Sequence, residues 1–83
     1  MKNIIEIIIA DDHPIFRAGL KQIVESPSVK VMGEASNGEE AVKLIKELKP
    51  HVAILDINMP VIDGLGVLSA VKKLKIDTKI IFL

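Results

Sequence analysis

Residues 4–14 read Ile-Ile-Glu-Ile-Ile-Ile-Ala-Asp-Asp-His-Pro, an apolar β-branched run that ends abruptly in two acids, a histidine and a proline. The nearly continuous run 4–10 is typical of a strand covered on both faces, as in a parallel sheet, rather than of a strand with one wet face. Pro14 suits the first turn of a helix because its missing N–H has no intrahelical partner there, and a preceding carboxylate can cap that helix. The stretch therefore predicts a buried parallel strand that leads directly into a helix.

The rest of the chain repeats this alternation of strand and helix. The predicted order is strand 4–10, a helix from Pro14 that stops at Ser26, strand Val29–Ala35, a helix that ends at Pro50, strand Val52–Leu55, helix Gly64–Leu74 and strand Lys79–Leu83. Strands that alternate with helices over short connections form a parallel sheet with right-handed crossovers. The sequence thus predicts an α/β fold, a doubly wound parallel sheet of four strands and three helices, in one domain over residues 1–83.

Composition narrows the class of protein. The 83 residues include 11 basic and 11 acidic side chains, which describes one small domain. Zero net charge and singly scattered basic residues give no footprint for nucleic acid or a membrane surface, and 2% aromatic residues argue against base stacking. Because cysteine is absent, disulfides and thiolate metal sites are excluded. The sequence contains neither a secretory signal pattern nor a span of about 20 apolar residues, so we expect a cytoplasmic protein without membrane contact.

Aspartates follow two of the predicted strands. Asp11 and Asp12 come after the first strand, and Asp56 comes after the third. In an open parallel sheet, ligands bind outside the carboxyl ends of the strands, and neighbouring strands lie about 4.8 Å apart. If the first and third strands are neighbours, these carboxylates converge, and protonation or a cation must relieve their repulsion. Oxygen ligands suit Mg²⁺, or Mn²⁺ as a substitute, better than zinc.

A single aspartate at a strand end is usually a cap or a turn former. A cap uses one carboxylate, however, so the adjacent pair Asp11 and Asp12 is harder to explain without a cation. The loop after Asp56 brings backbone at Asn58 whose carbonyl could join a metal, whereas Asp63 is expected to cap the following helix. An aspartate beside a divalent cation is a competent nucleophile toward a phosphoryl group, and the product is an aspartyl phosphate.

Five segments of the chain resemble, in order and spacing, the receiver domain of bacterial response regulators. They are Ala10–Leu20 (ADDHPIFRAGL), Gly33–Ala35 (GEA), Asn37–Ala41 (NGEEA), Leu55–Pro60 (LDINMP) and Asp63–Gly64 (DG). The opening Asp-Asp-His-Pro is most similar to the subfamily whose receiver precedes a helix-turn-helix DNA-binding domain. The resemblance covers the whole chain and implies the flavodoxin-like receiver fold.

The resemblance also implies a role for each matching residue. Asp56 is implied to be the phosphoacceptor, which a sensor histidine kinase phosphorylates. Asp11 and Asp12 are implied to organise Mg²⁺, Asp12 directly and Asp11 largely through water, and Asn58 is implied to contribute its main-chain carbonyl. Any contact with DNA would belong to an output domain that is not in this chain, and regulation of transcription would act through that domain.

The resemblance breaks off at the end of the chain. A complete receiver has five strands and five helices, with a serine or threonine just after the fourth strand and a lysine after the fifth, whereas this sequence ends at Leu83. We therefore expect a truncated receiver without the two groups that bind the phosphoryl oxygens. No other lysine replaces the missing one by position. The lysines of the last helix, of the loop after it and of the start of the last strand lie at the other end of the predicted sheet.

Two alternatives to a phosphoacceptor domain remain at this point. A receiver-like interaction fragment that keeps the fold but cannot be phosphorylated is possible because the hydroxyl and the lysine are missing. An aspartate-nucleophile phosphohydrolase on a similar sheet needs a second carboxylate two residues after the nucleophile as its general acid, and Asn58 stands there instead. The expected function is thus that of a phosphoacceptor rather than of an enzyme.

The last strand has consequences for association. In a chain that ends at Leu83, the apolar residues Ile80, Ile81, Phe82 and Leu83 would form an exposed edge, and such edges pair with other chains. We therefore expect a dimer or a swapped oligomer that forms through the fourth strand. The alternative is that these residues belong to a longer polypeptide.

The remaining marked residues receive mostly structural interpretations. The expected core positions of the first helix are Phe16, Leu20 and Val24. His13 is expected to serve in loop packing or to support a neighbouring metal ligand, and Met59 is expected to serve in loop packing. The family's contact with its kinase uses the exposed side of the first helix, where Arg17 and Lys21 are the nearest candidates.

Overall fold

Strands and helices alternate along the chain in a computed structural model, which describes residues 3–83. The elements are β1 (Ile5–Ala10), α1 (Pro14–Val24), β2 (Val29–Ala35), α2 (Gly38–Leu48), β3 (Val52–Leu55), α3 (Gly64–Lys73) and β4 (Lys79–Phe82). The predicted α/β fold of four strands and three helices is therefore confirmed. Residues 1 and 2, which open the predicted domain 1–83, lie outside the described range.

All strand pairs in the sheet are parallel, and the strand order is β2-β1-β3-β4. The strands β1 and β3 are thus neighbours, with Ala10 opposite Leu55 at their carboxyl ends. On its other side β1 pairs with β2, where Ala10 lies opposite Ala35. The last residues of β1, β2 and β3 therefore stand side by side at one edge of the sheet, which is the condition that the predicted carboxylate cluster required.

The main core lies between the sheet and the helices α2 and α3. Ile8 and Leu55 on the sheet and Val67 on α3 are fully buried, and Ile45 on α2 is nearly so. The loop residue Met59 joins this cluster, which confirms its predicted packing role. These contacts fix both helices on one face of the sheet and hold the strand ends rigidly.

The opposite face carries α1. Because β2 and β3 lie on opposite sides of β1 and crossovers are right-handed, α1 and α2 must cover opposite faces. Within the described residues no second helix accompanies α1 there, and none of its residues is buried. Ile15 is 90% exposed and Ile23 is 81% exposed.

The prediction that Phe16, Leu20 and Val24 belong to the core is wrong for Phe16, which is 51% exposed. Leu20 and Val24 are half-buried. The helical spacing gave the right element, but a helix on an otherwise open sheet face has only one partner surface to pack against. Residues on its flanks therefore keep contact with solvent.

Among the described residues, β4 pairs with β3 alone and therefore forms one edge of the sheet. Its side chains alternate: Ile80 and Phe82 pack against the core cluster, whereas Ile81 is 51% exposed on the α1 face. The expected apolar edge is therefore present, although half of its side chains are turned into the core.

In the described part of the chain, every helix is too short or too polar to cross a membrane.

Candidate metal centre

The sheet places Asp11 and Asp56 next to each other. Each follows the last residue of its strand, and hydrogen bonds of the sheet type continue one step further: the Asp56 N–H donates to the Ala10 carbonyl at 3.0 Å, and the Asp11 N–H donates to the Ala35 carbonyl at 3.0 Å. Both side chains therefore start from backbone that the sheet holds in place. Asp12 continues the chain from Asp11 toward α1.

Four side chains meet at this edge. One ligand atom each from Asp11, Asp12, His13 and Asp56 lies within 4.8 Å of the others. The sequence predicted the convergence of the aspartates. The imidazole of His13, interpreted as loop packing or as support for a metal ligand, belongs to the cluster as well, which fits the second of these interpretations. The donor set is dominated by carboxylate oxygens, which fits Mg²⁺ or Mn²⁺.

Asp11 is the buried member of the cluster, with 2% of its surface exposed. Its Oδ1 accepts a hydrogen bond from the His13 main-chain N–H at 2.7 Å and lies 3.1 Å from His13 Nδ1. The same Nδ1 lies 2.9 Å from Asp12 Oδ1, so the imidazole sits between the two carboxylates. A buried carboxylate needs such partners or a cation, because desolvation disfavours its charged form.

Neither acid caps α1. The N-cap position is His13, and its side chain makes no capping hydrogen bond. The alternative interpretation of Asp11 or Asp12 as a helix cap is therefore wrong. The alternative of a turn former fits Asp11, because its Oδ1 accepts from the N–H two residues later while the carboxylate also joins the cluster. By contrast, Asp63 caps α3 as predicted, and its side chain accepts from the Gly66 N–H at 2.9 Å.

Asp56 is half-buried, and the loop that follows it turns back over the site. Its Oδ1 accepts a hydrogen bond from the Asn58 N–H at 3.1 Å. The Gly64 N–H donates to the Ile57 carbonyl at 2.9 Å, which ties the start of α3 to the same loop. A Cβ at Gly64 would lie 2.9 Å from the Asp56 carbonyl oxygen, so only glycine permits this close approach.

Arg17 does not lie on the exposed side of α1, where the sequence placed it. Only 18% of its side chain is exposed, and its Nε lies 3.2 Å from Glu34 Oε1. Its Nη1 donates to the Asp11 carbonyl at 2.6 Å. Lys21 is more open, with its Nζ 3.7 Å from Glu34 Oε2. The pairing was missed because it depends on how α1 crosses β2, which no local pattern encodes.

Lys75 and Lys79 lie at the end of the sheet away from the aspartates, as the sequence predicted. A cavity of about 910 Å³ opens at the other end of the sheet, beside the first residues of β3 and β4. Lysines that line it are Lys46, Lys49, Lys75 and Lys79. Within residues 3–83, therefore, the carboxylate edge is acidic and the opposite edge is basic.

Comparison with known proteins shows which family the chain matches. The family model described as the response regulator receiver domain matches residues 7–83. The nitrate/nitrite response regulator protein NarL of Escherichia coli strain K12 is 40% identical over 76 residues, which are 90% of this chain and 35% of that protein. The chain thus spans about a third of the length of this relative.

Solved structures agree with the sequence relatives. The signal receiver domain of a response regulator designated NarL from Mycobacterium tuberculosis superposes with a TM-score of 0.94 at 40% identity, over 96% of this chain and 65% of that chain. The CheX-CheY-BeF3-Mg²⁺ complex from Borrelia burgdorferi superposes with a TM-score of 0.86 at 30% identity, over 94% of this chain and 60% of that chain. By sequence, by fold and by the aspartates at its strand ends, this chain belongs to the response regulator receiver domain family.

Proposed function

We propose that Asp56 accepts a phosphoryl group, with Mg²⁺ held by the carboxylates of Asp11, Asp12 and Asp56 and by the main-chain carbonyl of Asn58. The observation that carries this proposal is the meeting of the three carboxylates within 4.8 Å at the carboxyl edge of the sheet. Three acids this close repel each other unless a cation is bound, and Mg²⁺ or Mn²⁺ suits their oxygens.

In this proposal the two oxygens of Asp56 have different tasks. Oδ1 is oriented by the Asn58 N–H, which leaves Oδ2 without a protein hydrogen-bond partner among the described residues. Oδ2 attacks phosphorus while the bond from phosphorus to the donor breaks. The donor leaves with that electron pair, as a carboxylate from an acyl phosphate or as an imidazole that takes up a proton from the solvent. When bound, Mg²⁺ supplies positive charge that screens the carboxylates and the phosphoryl oxygens from each other.

The related Borrelia complex supports the proposal, because that complex contains BeF3 and Mg²⁺. For this chain we infer a sensor histidine kinase as the donor, with phosphorus passing from an imidazole nitrogen to Asp56. The side chain of Ile15, only three residues after Asp12 and 90% exposed, offers an apolar contact for that kinase beside the site.

We further propose a cytoplasmic protein that acts on transcription through a DNA-binding output domain outside residues 1–83. The NarL relative is a response regulator of which this chain matches 35%. The receiver would then act as the regulated input of that longer protein and not as an enzyme.

Incubation with Mg²⁺ and a small acyl phosphate, followed by intact-mass measurement, tests the proposal. We expect one added phosphoryl group on the original chain and none on Asp56→Asn. Asp63→Asn is the matched control, because it makes the same change in a carboxylate that only caps α3. It should be phosphorylated like the original chain.

Two results would favour the alternatives. An unmodified original chain that still binds Mg²⁺ would indicate a receiver-like interaction module. Continuous release of inorganic phosphate with rapid turnover would indicate a phosphohydrolase, although Asn58 provides no carboxylate for the general acid that such an enzyme needs.

A further inference from the structure

Arg17 connects three parts of the molecule at the acidic edge. It belongs to α1, its Nη1 donates to the Asp11 carbonyl at 2.6 Å, and its Nε lies 3.2 Å from Glu34 Oε1 on β2. The same Nη1 lies 3.4 Å from the carbonyl of Ala35, the last residue of β2. One guanidinium group thus bridges the ends of two neighbouring strands.

This bridge matters because α1 is otherwise loosely held. The helix contributes no buried residue, and the apolar residues Ile15 and Ile23 face solvent. The chain from Asp11 to Pro14, which carries the acids, is the link between β1 and this helix. Within residues 3–83, the hydrogen bonds of Arg17 to the ends of β1 and β2 are therefore the interactions that can best hold that link in place.

We propose that Arg17 is a positioning residue that holds Asp11 and Asp12 in their metal-binding arrangement. This inference rests on the proposed Mg²⁺ site and adds a residue to it. The guanidinium fixes the Asp11 carbonyl, and with it the direction in which the Asp11 side chain and the next residue leave the strand. Glu34 orients the guanidinium from the other side. Residues that orient metal ligands in this way typically change metal affinity about 10- to 100-fold when they are replaced.

If Arg17 acted through its charge alone, its replacement would change the Mg²⁺ affinity in the opposite direction. A cation repels a cation, so removal of its positive charge would strengthen Mg²⁺ binding if electrostatics were all that Arg17 contributed. A positioning role predicts weaker binding instead. The direction of the change therefore distinguishes the two interpretations without any assumption about its size.

The experiment is an NMR titration of the isotope-labelled chain with Mg²⁺ alone. Folding of each variant is checked first from its amide spectrum and its circular dichroism, so that affinity is compared between folded proteins. We expect about tenfold weaker binding for Arg17→Gln. Arg17→Lys should give an intermediate affinity, because an ammonium keeps the charge but cannot serve both carbonyls and Glu34 together.

Lys21→Gln is the matched control. It removes one positive charge and one partner of Glu34 but no contact with Asp11, so Mg²⁺ should bind as tightly as to the original chain, or more tightly. If Arg17→Gln unfolds, Arg17→Lys provides the test in its place. It keeps the positive charge, so weaker Mg²⁺ binding would report the lost contacts rather than a change in charge. Unchanged or tighter binding by folded Arg17→Gln, or by Arg17→Lys in its place, would overturn the inference.

Asp12→Asn separates this inference from the function on which it rests. If Asp12→Asn binds Mg²⁺ as well as the original chain does, the proposed metal site itself is wrong. If Asp12→Asn loses Mg²⁺ while Arg17→Gln keeps it, only the role of Arg17 is wrong. Equal weakening by Lys21→Gln and Arg17→Gln would also contradict it, because only Arg17 touches the Asp11 carbonyl.

Discussion

Asp12 is the residue at which stability and function oppose each other. Its carboxylate lies among the other acids of the cluster and is partly exposed. We predict that Asp12→Asn stabilises the metal-free chain, by about 0.5 kcal/mol, because one negative charge is removed from a group of like charges. The amide keeps an oxygen for hydrogen bonding with His13. Thermal or urea unfolding in the presence of a chelator measures this effect.

The same variant should lose the stabilisation that Mg²⁺ provides. At a Mg²⁺ concentration tenfold above Kd, binding to the folded state adds about 1.4 kcal/mol to the free energy of unfolding. The original chain should therefore unfold at higher urea with Mg²⁺, and Asp12→Asn should not respond. A metal-free Asp12→Asn less stable than the original chain would show that Asp12 contributes structure rather than repulsion.

Among individual residues, the positions of the acids were predicted well from the sequence, and the contacts of their partners were predicted poorly. Asp11 and Asp56 were predictable because strand ends in a parallel sheet meet at one edge, whichever side chains cover the sheet. The contacts of His13 and Arg17 were not, because they depend on the path of a loop and on the crossing of α1 over β2. Such geometry is determined by tertiary packing and leaves no periodic signal in the sequence.

The N-terminus of α2 is an element whose stability should depend on pH. Asn37 accepts from the Glu40 N–H at 2.8 Å, while the Glu40 carboxylate accepts from the main chain and the hydroxyl of Ser36. The Ser36 main-chain hydrogen bond, then its hydroxyl, lower the pKa of Glu40 below 4.5, and the charges of Arg17 and Lys43 act in the same direction.

The sign of this pH dependence follows from the ionised form being preferred in the folded state. The contribution of Glu40 is complete above the ordinary pKa of 4.5 and is lost as the pH falls through the lower folded-state value. We predict that Glu40→Gln destabilises the chain at pH 7 and that the difference shrinks as the solution is acidified. Urea unfolding at pH 7 and at a pH below 4.5 measures the difference in the free energy of unfolding between the two chains. A difference that grows in acid would contradict the assignment.

Two helical glycines with different surroundings should respond oppositely to alanine. A Cβ at Gly38, the first residue of α2, would lie 1.7 Å from the Ile62 carbonyl oxygen, whereas a Cβ at Gly19 in α1 meets nothing within 4 Å. We predict that Gly38→Ala costs at least about 2 kcal/mol, since backbone must move, and that Gly19→Ala stabilises the chain by about 0.5–1 kcal/mol through helix propensity.

Urea unfolding of both alanine variants checks this pair. Destabilisation by Gly19→Ala would indicate an unseen neighbour on α1, and a neutral Gly38→Ala would mean that the loop through Ile62 is not packed on α2.

The elements themselves were predicted almost to the residue, because proline, asparagine and aspartate occupy helix starts and apolar runs fill the strands. The burial of α1 was not predictable, because periodicity does not say how many helices share a sheet face.

Among residues 3–83, two apolar regions of the sheet are open to solvent. They are the β4 edge and the α1 face of the sheet, where Ile81 is 51% exposed. We propose that a second copy of the chain pairs along β4 or exchanges it, since an unpaired strand edge is a template for another strand. Size-exclusion chromatography with light scattering should give a mass above the 9.1 kDa of one chain.

The substitution Ile81→Lys should shift the chain toward the monomer, because a charged side chain at an edge strand opposes pairing. Ile23→Lys makes the same change on α1, away from the strand edge, and should leave the association intact. A monodisperse monomer for the original chain would contradict the proposal. A monomer produced by Ile23→Lys instead would place the interface on α1.

Asp56 is expected to be phosphorylated in a reaction that requires Mg²⁺, and the location of the phosphoryl group tests this. After treatment with an acyl phosphate, borohydride reduces an aspartyl phosphate to homoserine. Peptide sequencing by mass spectrometry then identifies the altered residue. We predict homoserine at position 56 alone, formed with Mg²⁺ and absent when a chelator replaces it. Homoserine at position 11, 12 or 63, or an equal yield at position 56 without Mg²⁺, would contradict the account.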